Sequence, residues 1–143
     1  MKQSRPAGIT LIELMVTLLI VGILSSIAYP SYRQHLVHTR RVAAAGCLME
    51  MSQFMERVYT GNLRYDLNEG AATALPALNC ANDLAPHYGF AFVAGQPQQR
   101  SYGIAATPIN VQASADTPCA TLTIDQTGTR SASGGGSVTD CWR

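Results

Sequence analysis

Residues 5–30 read RPAGITLIELMVTLLIVGILSSIAYP, and the fold turns on this stretch. A short polar leader ends at Gly8, and from Ile9 to Ala28 the only ionisable side chain is Glu13. An apolar run of about 20 residues can cross a bilayer as a helix. A charge at the centre of such a helix costs roughly 2.5 to 3.5 kcal/mol on insertion scales and less near an end, so Glu13 is expected to have a use and a partner. A secretory signal peptide is the competing reading, but its apolar region is typically about 7 to 15 residues and is removed after a small-residue site. This run is longer, and no Ala-x-Ala site closes it.

Arg5-Pro6-Ala7-Gly8 followed by Ile9-Thr10-Leu11-Ile12-Glu13 resembles the class III leader junction of type IV prepilins: a basic residue, a glycine, an apolar residue, then Thr-Leu-Ile-Glu. The stretch YTGNLRYD, with Tyr59, Asn62 and Tyr65, and the segment CATLTIDQTGTRSASGG with its closing Cys-Trp resemble minor pilins of the PilE type. The resemblance implies an α+β type IV pilin fold, a long N-terminal helix on a small antiparallel sheet. It also implies cleavage between Gly8 and Ile9 by a prepilin peptidase, N-methylation at Ile9, and use of Glu13 in assembly. Ile9 departs from the commoner Phe or Met. The implied organisation is a leader over residues 1–8, a transmembrane and assembly helix over 9–29, and a head over 30–143.

The chemistry at Glu13 follows without the family. Cleavage would leave a positive amine on Ile9, and helices packed in a dry fibre core must neutralise both that amine and the carboxylate. Glu13 of one subunit reaching Ile9 of its neighbour satisfies both, because a paired buried charge costs far less than an isolated one. The pair then sets register, since a subunit out of step leaves two charges unpaired.

The chain has 143 residues, enough for one head of about 80 to 110 residues beyond the anchor. Its formal charge is +1, and removal of residues 1–8 takes Lys2 and Arg5 away, leaving eight basic against nine acidic residues. Bulk electrostatics therefore carries no clear nucleic-acid signal, although a local patch stays open. Lys2 and Arg5 place the N-terminus on the cytoplasmic side of an inner-membrane single-pass anchor, with everything after Pro30 exported. Arg33, Arg40 and Arg41 lie on the far side and weigh against that orientation.

Four cysteines, Cys47, Cys80, Cys119 and Cys141, fit an exported domain with two disulfides. Three connectivities are possible. The pairing Cys47 with Cys80 and Cys119 with Cys141 is favoured, the second closing the C-terminal loop that pilins share. Zinc has no Cys-x-x-Cys or His-x-x-x-His spacing to use, and His35 and His38 lack a third ligand. No metal and no cofactor are implied.

Pro30 lacks an N–H and should kink the helix or start a new segment, and Gly22 is a second weak point. From Ser31 to about Thr60, Leu36, Ala44, Cys47, Leu48, Met51, Met55 and Val58 recur three and four apart, the core face of a helix against a sheet. Met49, Met51 and Met55 read as packing, and Gly61-Asn62 as the helix end. Residues 66–87 read as an exposed connecting loop held by Cys80, able to carry binding specificity. Three strands are expected at 87–94, 101–109 and 120–128, with turns at Gly95-Gln96-Pro97 and Asp116-Thr117-Pro118. Gly128 and the run Gly134-Gly135-Gly136 make the tail flexible until Cys141 fastens it, and the run is not a phosphate loop, because no Gly-Lys-Ser/Thr follows.

No Gly-x-Ser-x-Gly, His-Glu-x-x-His or Cys-His arrangement is present, so an enzyme is not expected. The function expected is a structural subunit of the type IV pilus or fimbrium, most like a minor pilin that primes or joins the filament. Twitching motility and adhesion would follow from assembly. Its partners would be major and minor pilins, the prepilin peptidase, the inner membrane before assembly and the pilus assembly machinery. Three alternatives share parts of the pattern: the major pilin, a type II secretion pseudopilin, and an anchored binding domain that never polymerises.

Overall fold

Helix-compatible residues continue on both sides of Pro30, and the computed structural model, which describes residues 8–143, holds them as one helix, α1 (Leu11–Asn62). Pro30 lies inside this helix and does not begin a new segment. A proline removes one i to i−4 bond; the flanking turns stay helical on both sides. Gly61 is also helical, and the residue that turns the chain out of α1 is Leu63, at φ 55° with its N–H on the Tyr59 carbonyl at 2.7 Å. Leucine in the left-handed region is strained, and here it is 74% exposed.

The chain divides into two units, one ending at His35 and one comprising Leu36–Arg143. In the first unit the large apolar side chains from Ile9 to Ile27 are all exposed. A single apolar helix has nothing of its own to bury against.

The second unit begins with the amphipathic half of α1. After it come a short hairpin, β1 (Leu67–Asn68) with β2 (Ala71–Ala72), and a six-residue helix, α2 (Asn79–Leu84). Strands β3 (Tyr88–Phe92) and β4 (Gly103–Pro108) follow, then helix α3 (Asn110–Ala115), β5 (Leu122–Asp125), β6 (Arg130–Ala132) and a terminal turn of helix, α4 (Val138–Cys141). The main sheet is antiparallel in the order β3-β4-β5-β6, with Ile104 opposite Phe92 and Ile124, and Leu122 opposite Ala132. The three expected strands are present, and β6 is an addition. The stretch read as a loop, 66–87, holds the small hairpin and α2, with Thr73 and Leu84 buried in it.

Alternation puts Ile104, Ala106, Leu122 and Ile124 on one face of the sheet, where they meet Ala44, Leu48, Met51 and Met55 of α1. Each fully buried large aliphatic side chain contributes roughly 1.5–3 kcal/mol through its removal from water. Met51 and Met55 are core residues, but Met49 is not: it is exposed, and its sulfur accepts from Arg130 Nη2 at 3.3 Å. Cys47 is joined to Cys80, tying α1 to α2, and Cys119 to Cys141, closing the C-terminal segment.

Candidate functional site

The residues expected to act in assembly, Ile9 and Glu13, lie just before α1 and in its first turn. Thr10 sits just before the helix; its carbonyl accepts from Leu14 N at 3.2 Å and its Oγ1 accepts from Glu13 N at 3.3 Å. Thr-Leu-Ile-Glu is thus one half of a capping box, in which a hydroxyl satisfies the N–H three residues on. Thr10 is absent from the sequence-predicted site, although Thr-x-x-Glu before an apolar run is a readable helix-start signal. The acid in this first turn is also favoured by the positive end of the helix dipole. The Glu13 carboxylate makes no hydrogen bond or ion pair among the described residues.

Ile9, Glu13, Leu14 and Thr17 line a shallow groove along the helix surface. Further along, the Thr17 and Ser26 hydroxyls fold back onto the Leu14 and Ile23 carbonyls at 2.9 and 2.7 Å, hiding their polarity inside the helix. A Cβ at Gly22 would meet nothing within 4 Å, so that glycine is not there to admit a neighbour within this chain. At the far end of the apolar run Tyr29 and Tyr32 are exposed and the Arg33 guanidinium lies 6.0 Å from the Tyr29 ring centroid. Aromatic rings with a cation at the end of a span suit a membrane interface. The leader falls outside the described residues apart from Gly8, which is exposed beside Ile9.

The head is fixed by two polar networks that join distant segments. In the first, Arg41 Nη1 donates to Asp116 Oδ1 at 2.5 Å, Tyr88 OH donates to Asp116 Oδ2 at 3.0 Å, and Gln112 Nε2 donates to the Tyr88 hydroxyl at 3.0 Å. Gln112 Nε2 also reaches the Val37 carbonyl at 3.0 Å, locking α3 against α1. Burial, and behind it the Asp116 carboxylate, pushes the Tyr88 hydroxyl above its ordinary value. Asp116, read from the sequence as a turn residue, is 1% exposed and neutralises Arg41. Arg41 is therefore no free positive charge.

In the second network Tyr65 stacks on Tyr59 at 4.6 Å between centroids and meets Tyr102 edge-on at 4.9 Å. The hydroxyls of Tyr65 and Tyr102 both donate to Glu56 Oε1, at 3.2 and 3.1 Å, and Ser52 shares a 2.8 Å hydrogen bond with Tyr102. Burial first, and the Glu56 charge with it, push both phenols up to about 12.

The C-terminal loop is held from inside. Gly136 N and Gly134 N donate to the Pro118 and Cys119 carbonyls at 2.7 and 3.1 Å, Trp142 Nε1 donates to the Ser131 carbonyl at 3.0 Å, and Arg130 lies 5.3 Å from the Trp142 ring centroid. A run that reads as flexible in sequence is therefore bonded at two of its three glycines.

Among the described residues, then, no cluster of acid, base and nucleophile is assembled. What the geometry offers is one exposed apolar helix with a single acid in its first turn and a cross-linked head. Comparison with known families agrees. The family described as "Type IV minor pilin ComP, DNA uptake sequence receptor" matches residues 30–123, and the prokaryotic N-terminal methylation motif matches residues 3–29. Among solved structures, the non-core minor pilin PilV of Neisseria meningitidis is similar at 22% identity, covering 68% of this chain and 89% of that one, with a TM-score of 0.44. Comparison with curated proteins gave no match.

Proposed function

The chain belongs to the type IV minor pilin family of ComP, and from that premise we propose that it is cleaved between Gly8 and Ile9, methylated at Ile9 and drawn into the filament through Glu13. The family is one of structural subunits, and a minor pilin of the type IV pilus is what this chain is. The observation that carries the proposed route is the exposed apolar run from Ile9 to Ile27, with a Glu13 carboxylate that engages no partner among the described residues. Before assembly the helix rests in the inner membrane, with Lys2 and Arg5 on the cytoplasmic side and the head, residues 30–143, exported. After assembly its charge pairs with the amine of a neighbouring Ile9, and Gly22 and Pro30 supply the points at which the helix yields. Filament priming, twitching motility and adhesion are the downstream roles.

Mass spectrometry of filaments sheared from cells tests this. The expected result is an N-terminal peptide beginning at methylated Ile9, at trace amount relative to the most abundant pilin. Glu13→Ala should be cleaved normally yet be depleted from filaments; normal incorporation of that variant would sink the pairing, and an intact leader would sink the processing.

A second reading comes from the family description, which names a receptor for a DNA uptake sequence. What supports it is that the match spans most of the head, where Arg57, Arg100, Arg130 and Arg143 are exposed. Overall charge does not favour it, so recognition would be local. A mobility-shift titration with an uptake-sequence duplex and its scrambled counterpart, repeated over a salt series, decides it. Specific binding should outlast non-specific binding as salt rises, and equal affinity for both duplexes rules the reading out.

A further inference from the structure

The solvent face of the main sheet carries a feature that filament assembly does not use. On the outward face of β4, β5 and β6, Gly103, Thr123, Asp125 and Ser131, together with Val93, Gln96 and Gln126, line an open trough of about 360 Å³. That is within the range of small-molecule sites, about 300–1,000 Å³. Its floor is low because Gly103 has no side chain; a Cβ there would come within 3.1 Å of Val93 Cγ2.

The polar groups of the trough are held in place by bonds to the protein. Gln126 Oε1 accepts from Tyr102 N at 3.3 Å, and Gln96 Oε1 accepts from the Ser101 hydroxyl at 3.3 Å. Each amide oxygen is thereby occupied and each Nε2 is left as a donor. Asp125 Oδ1 accepts from Thr127 N, Thr127 Oγ1 and Thr129 N at 2.8, 2.6 and 3.0 Å, while Oδ2 has no partner among the described residues. Burial would raise the Asp125 carboxyl, but the Thr127 hydroxyl and the Thr127 and Thr129 amides outweigh it and hold it below its ordinary value. Thr123 and Ser131 share a hydroxyl–hydroxyl bond across the strands.

The result is two fixed amide donors, one fixed carboxylate acceptor and a hydroxyl pair around a flat backbone floor edged by Val93. No Arg, Lys or His lines the trough, and its one charge is negative, so phosphate-bearing ligands are repelled. A small cation would satisfy Asp125 but leave two amide donors facing it. A vicinal diol satisfies both kinds of group, because each hydroxyl donates and accepts, and the C–H face of a pyranose can rest on Gly103 and Val93.

We propose that the trough formed by Gln96, Gly103, Thr123, Asp125 and Gln126 binds a neutral saccharide, one or two hexose units in size. The site is built from residues 93–131 of the second unit, away from the Ile9–Ile27 stretch, and it gives the head a ligand of its own.

Saturation-transfer NMR on the full chain in a sugar-free zwitterionic detergent tests the site, with the methyl glycosides of glucose, galactose, N-acetylglucosamine and N-acetylgalactosamine as probes. At least one glycoside should receive saturation from the protein. Thr123→Arg, which fills the trough, should abolish the transfer. Asp125→Asn keeps the Oδ1 acceptor for the turn and replaces only the free oxygen, and should weaken binding about tenfold. Unchanged circular dichroism of both variants shows that the head still folds. The site is refuted if none of the four sugars shows transfer, if Thr123→Arg leaves the transfer intact, or if a short DNA duplex displaces the bound sugar.

Discussion

Gly134 and Gly135 are adjacent in sequence but differ sharply in what surrounds them. A Cβ on Gly134 would fall 2.1 Å from the Pro118 carbonyl oxygen, whereas one on Gly135 would meet nothing within 4 Å. Backbone cannot yield as a side-chain tip can, so Gly134→Ala should cost about 1–3 kcal/mol and Gly135→Ala should stay within about 0.5 kcal/mol. Urea unfolding followed by fluorescence of Trp142, the one tryptophan, reads both. Asp116 makes a second test. Its removal leaves the Arg41 charge largely buried without an acid, so Asp116→Asn should cost about 3–5 kcal/mol, and pairing Arg41→Met with Asp116→Leu should recover part of that. Neither residue announces this role in the sequence. Asp116-Thr117-Pro118 has turn composition and does turn, while its ion pair spans 75 residues of chain, a separation that no local pattern encodes. Thr10 is the opposite case, because its cap is written in the four residues Thr-Leu-Ile-Glu.

Among the elements, α1 was legible because three-and-four spacing persists over many turns, and β3, β4 and β5 because each lies in a segment carrying aromatic or β-branched residues between turn signals. Strand β6 (Arg130–Ala132) was not, since Arg-Ser-Ala carries no strand preference and its pairing with β5 supplies the signal. Helices α2 and α3 have six residues each, too few to show a period, and α3 opens on Asn110 at φ 53°. The bridge from α1 to α2 is the one covalent tie on the 63–87 segment. Replacing Cys47 and Cys80 together by Ala should cost about 3–4 kcal/mol in the chain-entropy description, seen as a lower urea midpoint. The tyrosine network sets an alkaline limit. Tyr65 and Tyr102 have folded values near 12 against about 10 unfolded, so the folded state keeps protons that the unfolded chain releases. That contribution is complete below about pH 10 and is lost as pH rises towards the folded values. Ultraviolet difference titration should show these two phenols ionising late, and Glu56→Gln should bring them earlier by removing the charge that both hydroxyls face.

At the scale of the molecule, the residues that build the core and those of the proposed assembly route are different sets. Every side chain in the core cluster comes from residue 44 or later, and the first unit, ending at His35, contributes none. The exposed apolar residues run the other way, concentrated from Ile9 to Tyr32. A hydrophobic helix with no buried face has no stability of its own to give the head, and it takes what it needs from lipid or from other helices. A chain shortened to residues 36–143 should therefore be monomeric without detergent and unfold at the same urea midpoint as the full chain in micelles. It should also be absent from filaments, since it lacks both Ile9 and Glu13. A shortened chain that aggregates, or a midpoint displaced by more than about 1 kcal/mol, would mean that the apolar half of α1 supports the head after all. Equality of the two midpoints, set beside exclusion from filaments, would separate the two units by function as cleanly as their burial separates them by structure.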